Sequence, residues 1–201
     1  MLIKIFCSAI VAAVLTCAGS WWIDKLYRTS AELTFPEKIS SRSKFRRPIL
    51  FVALTILFFM AENFWQATAI FLLALMTATD FEQYMLFDAM TLPLAIIGAV
   101  FAWQTGLRVQ DHALAAIIGG GIFLLLALIS RGAIGGGDVK LIAALGILLG
   151  SEKLLSVVLI GSVSGGVAAL LMILAKLKAR DSYFAYGPYF TLAAIYTLLN
   201  G

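Results

Sequence analysis

Charged residues are scarce in this chain of 201 residues: they make up 13% of it, whereas hydrophobic residues make up 62%. A soluble domain could not bury so many apolar side chains, and its surface would remain largely apolar. We therefore expect lipid to surround most of the chain. In lipid only helices and closed barrels satisfy every backbone amide, and the apolar runs do not alternate as barrel strands would. The sequence predicts an all-α, polytopic helical membrane protein.

Cysteine and histidine are also rare. The two cysteines, Cys7 and Cys17, both fall in the first apolar run, which argues against a disulfide framework or a zinc site and favours packed side chains. The single histidine, His112, is expected on the other side of the membrane from the acids described below. A serine–histidine or cysteine–histidine pair at those acids is therefore excluded. We expect no metal and no cofactor.

Apolar segments of near-membrane length fill most of the chain. A helix needs about 20 residues to cross the hydrocarbon core, and we predict about eight transmembrane helices, of which the second and sixth are short. The predicted spans are about 3–23, 49–61, 64–80, 86–103, 113–130, 138–150, 154–175 and 183–199.

The only sizeable polar stretch lies between the first two spans, at about 24–48. It reads "DKLYRTSAELTFPEKISSRSKFRRP" and is rich in lysine and arginine. Basic residues in short loops stay in the cytoplasm, so this loop is predicted to be cytoplasmic and the N-terminus to lie outside. With eight spans, only Lys4, Arg108 and Lys153 of the 15 basic residues fall on the outer side. Anionic lipid headgroups are the expected partner of the loop, and the net charge of +4 needs no nucleic acid to explain it.

The first apolar run has a second interpretation. "MLIKIFCSAIVAAVLTCAG" has the composition of a signal peptide, even of a poor lipoprotein signal that ends at Cys17. The dense basic loop that follows would resist export, which favours an uncleaved first helix.

Three carboxylates stand out because they lie at the predicted cytoplasmic ends of spans: Asp80, Asp88 and Asp138. Ionisable residues near membrane depth usually mark function. Asp88 has a simpler explanation as an N-cap or first-turn acid, and Asp138 has one as an N-cap. Asp80 ends a helix, where the dipole repels a negative charge, and so lacks that explanation. Three glycines before Asp138 leave the backbone able to approach a ligand closely.

Two carboxylates at the same depth suggest paired acid–base chemistry. When they share a site only one ionises easily, so one serves as base and the other as acid. Such a pair can activate water against an amide. Acids in helical spans also occur in ion- or proton-coupled transporters, where an inverted repeat would be expected; none is evident in this sequence.

The stretch "GGGDVKL" resembles the G-x-G-D signature of the type IV prepilin leader peptidase family, which are membrane aspartyl proteases. Gly135, Gly137 and Asp138 match it, and Lys140 continues it. Upstream, an aspartate at the end of one span is followed eight residues later by another and then by threonine and proline, as in the family, although Phe87 replaces the usual proline. Those matching positions are Asp80, Asp88, Thr91 and Pro93. "AYGPYFTLAA" resembles the family's segment before the last span, and "AGSWWIDKLYR" is weakly similar to its first.

The resemblance implies a single membrane peptidase domain over residues 1–201, in the bacterial inner membrane. It implies that Asp80 and Asp138 are the catalytic pair, with Asp88, Gly135, Gly137 and Lys140 in support. The implied substrate is a prepilin or pseudopilin with a short basic leader, a glycine at the cut and an apolar helix. A catalytically silent relative that only binds pilins is a further alternative, against which the presence of both acids argues.

Larger members of that family carry a cytoplasmic insertion with paired C-x-x-C motifs, linked to N-methylation with S-adenosylmethionine. Here the corresponding loop is short, basic and without cysteine. The chain therefore resembles a short form, and we expect a peptidase without methyl transfer.

Overall fold

Helices account for nearly all of the chain that the structure describes. This structure is a computed structural model, and it describes residues 1–31, 33–130, 134–177 and 184–200. Within those ranges it contains no strand, which confirms the predicted all-α fold. The helices are α1 (Leu2–Thr29), α2 (Ile39–Arg42, after the 3-10 turn Pro36–Lys38), α3 (Arg46–Met60), α4 (Phe64–Gln83), α5 (Asp88–Gln104), α6 (Val109–Ile129), α7 (Gly136–Leu174) and α8 (Gly187–Asn200).

Four of the described helices are long and apolar enough to cross a membrane: α1, α4, α6 and α7. α5 is a shorter apolar helix. Large apolar side chains project from the outside of the bundle, among them Ile117, Ile129 and Val163, which are 70%, 77% and 66% exposed. Apolar surface on this scale requires lipid rather than water around it. The protein is therefore a helical membrane protein.

The helices bring all three predicted aspartates to one end of the bundle, here called the acidic end. Two contacts show that α4 ends and α8 begins at the acidic end. Asp80 contacts Gly187, the first residue of α8. At the other end of α4, Gln66 donates a hydrogen bond to the carbonyl of Leu198, near the end of α8. α5 runs parallel to the first part of α7, since Asp88 pairs with Lys140. α1 ends at the acidic end and α3 begins there.

α7 is interrupted at Gly150, whose φ of 77° and ψ of 179° are not helical. A Cβ on Gly119 of α6 would contact both Ile142 and Leu154. In a straight helix these two residues would be about 18 Å apart, so the chain turns back at Gly150. The Asp111 carboxylate accepts a hydrogen bond of 2.9 Å from the Ser151 N–H, which satisfies an amide that the break leaves free. The two limbs of α7 correspond to the sixth and seventh predicted spans.

Candidate active site

Asp80 and Asp138 line one cavity at the acidic end. Asp80 lies in the last turn of α4 and is 5% exposed, whereas Asp138 lies in the first turn of α7 and is half-buried. Their carboxylates are close enough to interact electrostatically. The cavity has a volume of about 240 Å³ and is lined by Asp80, Tyr84, Met85, Leu86, Gly135, Gly136, Gly137 and Asp138. The structure thus brings together two residues that are far apart in the sequence.

The carboxylate of Asp80 is held by the start of α8. A Cβ built on Gly187 would lie 2.7 Å from its Oδ2 atom and 3.1 Å from its Cγ atom. Its Oδ2 atom is buried and has no hydrogen-bond partner among the described residues. A buried polar atom without a partner is destabilising, and in a native structure it requires an explanation. An oxygen left free beside a second carboxylate is available to share a proton or to contact a substrate.

Asp138 is held by the glycines that precede it. Gly135 is the N-cap of α7, so Asp138 is the third residue of the helix and the N-cap explanation for it is wrong. Its carboxylate lies next to Gly135, where a built Cβ would be 3.4 Å from the Asp138 Oδ2 atom. A Cβ at Gly137 would lie 3.1 Å from the Cβ of Leu86, whereas one at Gly136 would meet nothing within 4 Å. Close packing of the loop therefore favours glycine at 137, since a Cβ there would need Leu86 to shift by a few tenths of an ångström.

Asp88 and Lys140 form an ion pair outside this cavity. The Lys140 Nζ atom donates to both carboxylate oxygens of Asp88, at 2.7 and 2.8 Å. Both side chains are exposed, Asp88 by 68% and Lys140 by 57%. Asp88 is the first residue of α5, after the N-cap Phe87, so its charge also lies favourably at the helix start. The pair links α5 to the first limb of α7.

The single histidine lies away from Asp80, Asp88 and Asp138. His112 is buried in α6, where its Nδ1 atom is 2.8 Å from the carbonyl oxygen of Ile147. Among the described residues, no group of three His, Cys, Asp or Glu side chains could hold a metal ion.

Sequence reasoning missed a buried charged cluster next to Asp80. Arg46 of α3 donates to Glu82 of α4 at 2.9 Å and also pairs with Asp24 of α1, and the Tyr27 hydroxyl donates to Glu82 at 3.0 Å. Glu82 and Arg46 are only 6% and 7% exposed. The available signal was an acid at the end of one span and an arginine at the start of another, at the same predicted depth.

Sequence reasoning also predicted the basic loop only as a membrane-surface loop. In the structure its described residues 33–45, here called the connector, pack against the end of α4. The Phe35 backbone exchanges two hydrogen bonds with the Gln83 side chain, at 2.8 and 3.2 Å. Arg42 donates to the carbonyl oxygen of Phe81 at 2.7 Å. The connector therefore fixes the residues that immediately follow Asp80.

Apolar helices that enclose a cavity with two carboxylates define a helical membrane protein with an acidic site at one end. The chain belongs to the type IV leader peptidase family, whose model matches residues 67–170, just over half of the chain. Both acids of the cavity fall within the matched residues.

Curated relatives show the same similarity. The chain is 38% identical over 129 residues to the prepilin leader peptidase/N-methyltransferase of Neisseria gonorrhoeae, covering 61% of this chain and 43% of that protein. It is 31% identical over 162 residues to the protein of the same name from Dickeya chrysanthemi, covering 74% of this chain and 57% of that protein. The chain thus spans about half the length of the curated relatives it matches. No solved structure matches it.

Proposed function

We propose that this protein is an aspartic endopeptidase that removes the basic leader from type IV prepilins or pseudopilins at the cytoplasmic face of the membrane. The observation that carries the proposal is the cavity that Asp80 and Asp138 share, in a chain of this family. The names of the curated relatives support the substrate class.

The proposed chemistry uses the two carboxylates alone. One aspartate accepts a proton from water as the water oxygen attacks the carbonyl carbon of the scissile bond, and the other donates a proton to the carbonyl oxygen. The tetrahedral intermediate then returns that proton and collapses as the C–N bond breaks, and the first aspartate gives its proton to the leaving amine nitrogen. Because the two groups are coupled, their ionisation belongs to the pair rather than to either residue. The unpartnered Oδ2 of Asp80 provides an atom for this exchange. The proposal includes no metal, no cofactor and no nucleic acid.

The peptidase proposal is tested with purified protein in detergent and a synthetic prepilin. Asp80→Asn and Asp138→Asn should each abolish cleavage while leaving the protein inserted and folded. Glu152→Gln is the matched control because it also removes one negative charge, but from an exposed residue after the α7 break. Full processing by either aspartate variant would contradict the proposed pair. A transporter would show no cleavage even as the wild-type protein.

We further propose that the chain crosses the bacterial inner membrane about eight times, with the N-terminus outside and the acidic end in the cytoplasm. The distribution of basic residues supports this orientation. In a variant without Cys7 and Cys17, an impermeant thiol reagent should label Lys153→Cys in intact cells, and Lys44→Cys only after permeabilisation. The reverse pattern would overturn the orientation.

We also propose that lysine and arginine side chains at the acidic end bind anionic lipid headgroups. Lys25 and Arg28 of α1 and Arg47 of α3 line a surface pocket with Trp21 and Asp24. Asp24 is paired with Arg46, whereas the three cations form no ion pair with any described residue. Basic pockets between helices on the cytoplasmic side bind such headgroups. Replacing the three cations by glutamine should reduce retention of phosphatidylglycerol but not of phosphatidylethanolamine in native mass spectrometry. Unchanged retention would contradict this site.

N-methylation is not part of the proposal, although the relatives' names include it. The loop that contains the connector has no cysteine, and so it departs from the paired C-x-x-C pattern of the larger members. An assay for methyl transfer to a cleaved pilin should detect none.

A further inference from the structure

Tyr84 has an unusual backbone conformation for its residue type. It follows the last residue of α4 with φ 55° and ψ 40°, in the left-handed region. Glycine or asparagine normally occupies this position after a helix, because a Cβ is unfavourable there. Non-glycine residues held in this region cluster at functional sites. Among the described residues, only Tyr84 and Lys176 combine a side chain with a positive φ, and of these only Tyr84 lines the cavity of the two aspartates.

The connector holds the Tyr84 ring in place. The ring packs edge-on against Phe35, with centroids 5.1 Å apart. The Arg42 guanidinium lies over both rings, 4.3 Å from the Phe35 centroid and 5.3 Å from that of Tyr84. Since Phe35 is itself hydrogen-bonded to Gln83, the ring is fixed from the connector and from α4.

Tyr84 lines the cavity of the two aspartates, together with Met85 and Leu86. Among the described residues, the rest of the lining apart from the two acids consists of the glycines 135–137, which have no side chains. Contact between Gly137 and Leu86 brings the glycine loop close to the α4–α5 turn. A substrate backbone that reaches both carboxylates lies in this cavity, beside the side chains of the turn.

We propose that Tyr84 is a specificity-determining residue that limits the size of the substrate side chain beside the scissile bond. This inference rests on the proposed peptidase function, and it names the residue that sets the preference for a small substrate side chain beside the scissile bond. The glycine loop cannot widen the cavity because it has no side chain to remove. A smaller residue at 84 would widen it, and would also be better suited to the left-handed backbone.

The test uses prepilin peptides that carry glycine, alanine, serine or valine at the residue before the cut, and it measures kcat/KM in detergent. The wild-type protein should cleave the glycine peptide at least about tenfold faster than the alanine peptide, because one carbon in a tight site is worth 10-fold or more. In Tyr84→Gly that ratio should fall by at least about fivefold. Tyr84→Asn, which also tolerates a positive φ, should change the ratio in the same direction.

Phe81→Ala is the matched control, because Phe81 is an exposed aromatic residue of the same helix end that does not line this cavity. It should keep the wild-type ratio. Thermal unfolding should show that Tyr84→Gly remains folded. Folded Tyr84→Gly and Tyr84→Asn proteins with wild-type selectivity would overturn the inference while leaving the peptidase function intact. No cleavage of any peptide by the wild-type protein would overturn the peptidase function and this inference with it.

Discussion

Gly187 packs directly against the carboxylate of Asp80, since a Cβ built on Gly187 would lie 2.7 Å from the Asp80 Oδ2 atom. Gly187→Ala must therefore displace either α8 or the carboxylate. A displacement of about 1 Å in a catalytic group lowers rates by about 100-fold. We expect Gly187→Ala to reduce prepilin cleavage by about that factor, measured with purified protein.

The control for Gly187→Ala is Gly166→Ala in the second limb of α7, where a Cβ would meet nothing within 4 Å. This variant should cleave at the wild-type rate, because alanine is favoured within a helix. Equal activity of the two variants would show that the contact between α8 and Asp80 has no role in catalysis.

The ion pair between Asp88 and Lys140 should contribute little. Both side chains are exposed, and exposed ion pairs contribute about 0–1 kcal/mol. Asp88→Asn should therefore retain cleavage within about fivefold of the wild-type rate, which is the factor that 1 kcal/mol allows. The same assay distinguishes Asp88 from Asp80, and an inactive Asp88→Asn variant would show that the catalytic pair had been assigned to the wrong aspartate.

Arg46 should be important for stability. It is buried between two carboxylates, and removing one partner of a buried ion pair is destabilising by about 3–5 kcal/mol. We expect Arg46→Met to lower the thermal unfolding temperature in detergent well below that of Arg47→Met, the same change at an exposed neighbour. Adding Glu82→Gln to Arg46→Met should recover part of the loss, because the uncompensated charge is then removed.

Alanine variants at Gly106 and Gly150 test how stability depends on the backbone conformation and on the contact with Asp111. Both have positive φ, 77° and 69°, but a Cβ at Gly150 would lie 2.6 Å from the Asp111 Oδ2 atom whereas one at Gly106 would meet nothing. Gly106→Ala should be destabilising by about 1–2 kcal/mol through the backbone alone. Gly150→Ala should be more destabilising, because φ 77° with ψ 179° is a conformation essentially restricted to glycine and because the Cβ would also disturb the hydrogen bond from Ser151 to Asp111. Equal unfolding temperatures would contradict the contact with Asp111.

The cavity acids were predictable because their chemistry conflicts with their surroundings. A carboxylate at the end of an apolar run is costly, so Asp80 stands out in the sequence without any structure. Glu82 did not stand out, because its charge is compensated by Arg46, a residue 36 positions earlier in the chain. The role of the connector was also not predictable, since its contacts with Gln83 and Tyr84 are made by the Phe35 backbone, the Phe35 ring and an arginine that the sequence marks only as basic.

The sequence by itself determined that this protein is helical and surrounded by lipid, because a membrane admits only helices and closed barrels and the apolar runs do not alternate as barrel strands would. It also determined the order of the apolar segments and the short list of acids. Only the tertiary structure decided that Asp80 and Asp138 share a cavity and that Tyr84 lines it. It also decided that Gly187 and Gly137 pack against residues of its lining. These contacts join residues from separate helices, and the packing of helices depends on side-chain shape, which the periodicity of a sequence does not encode.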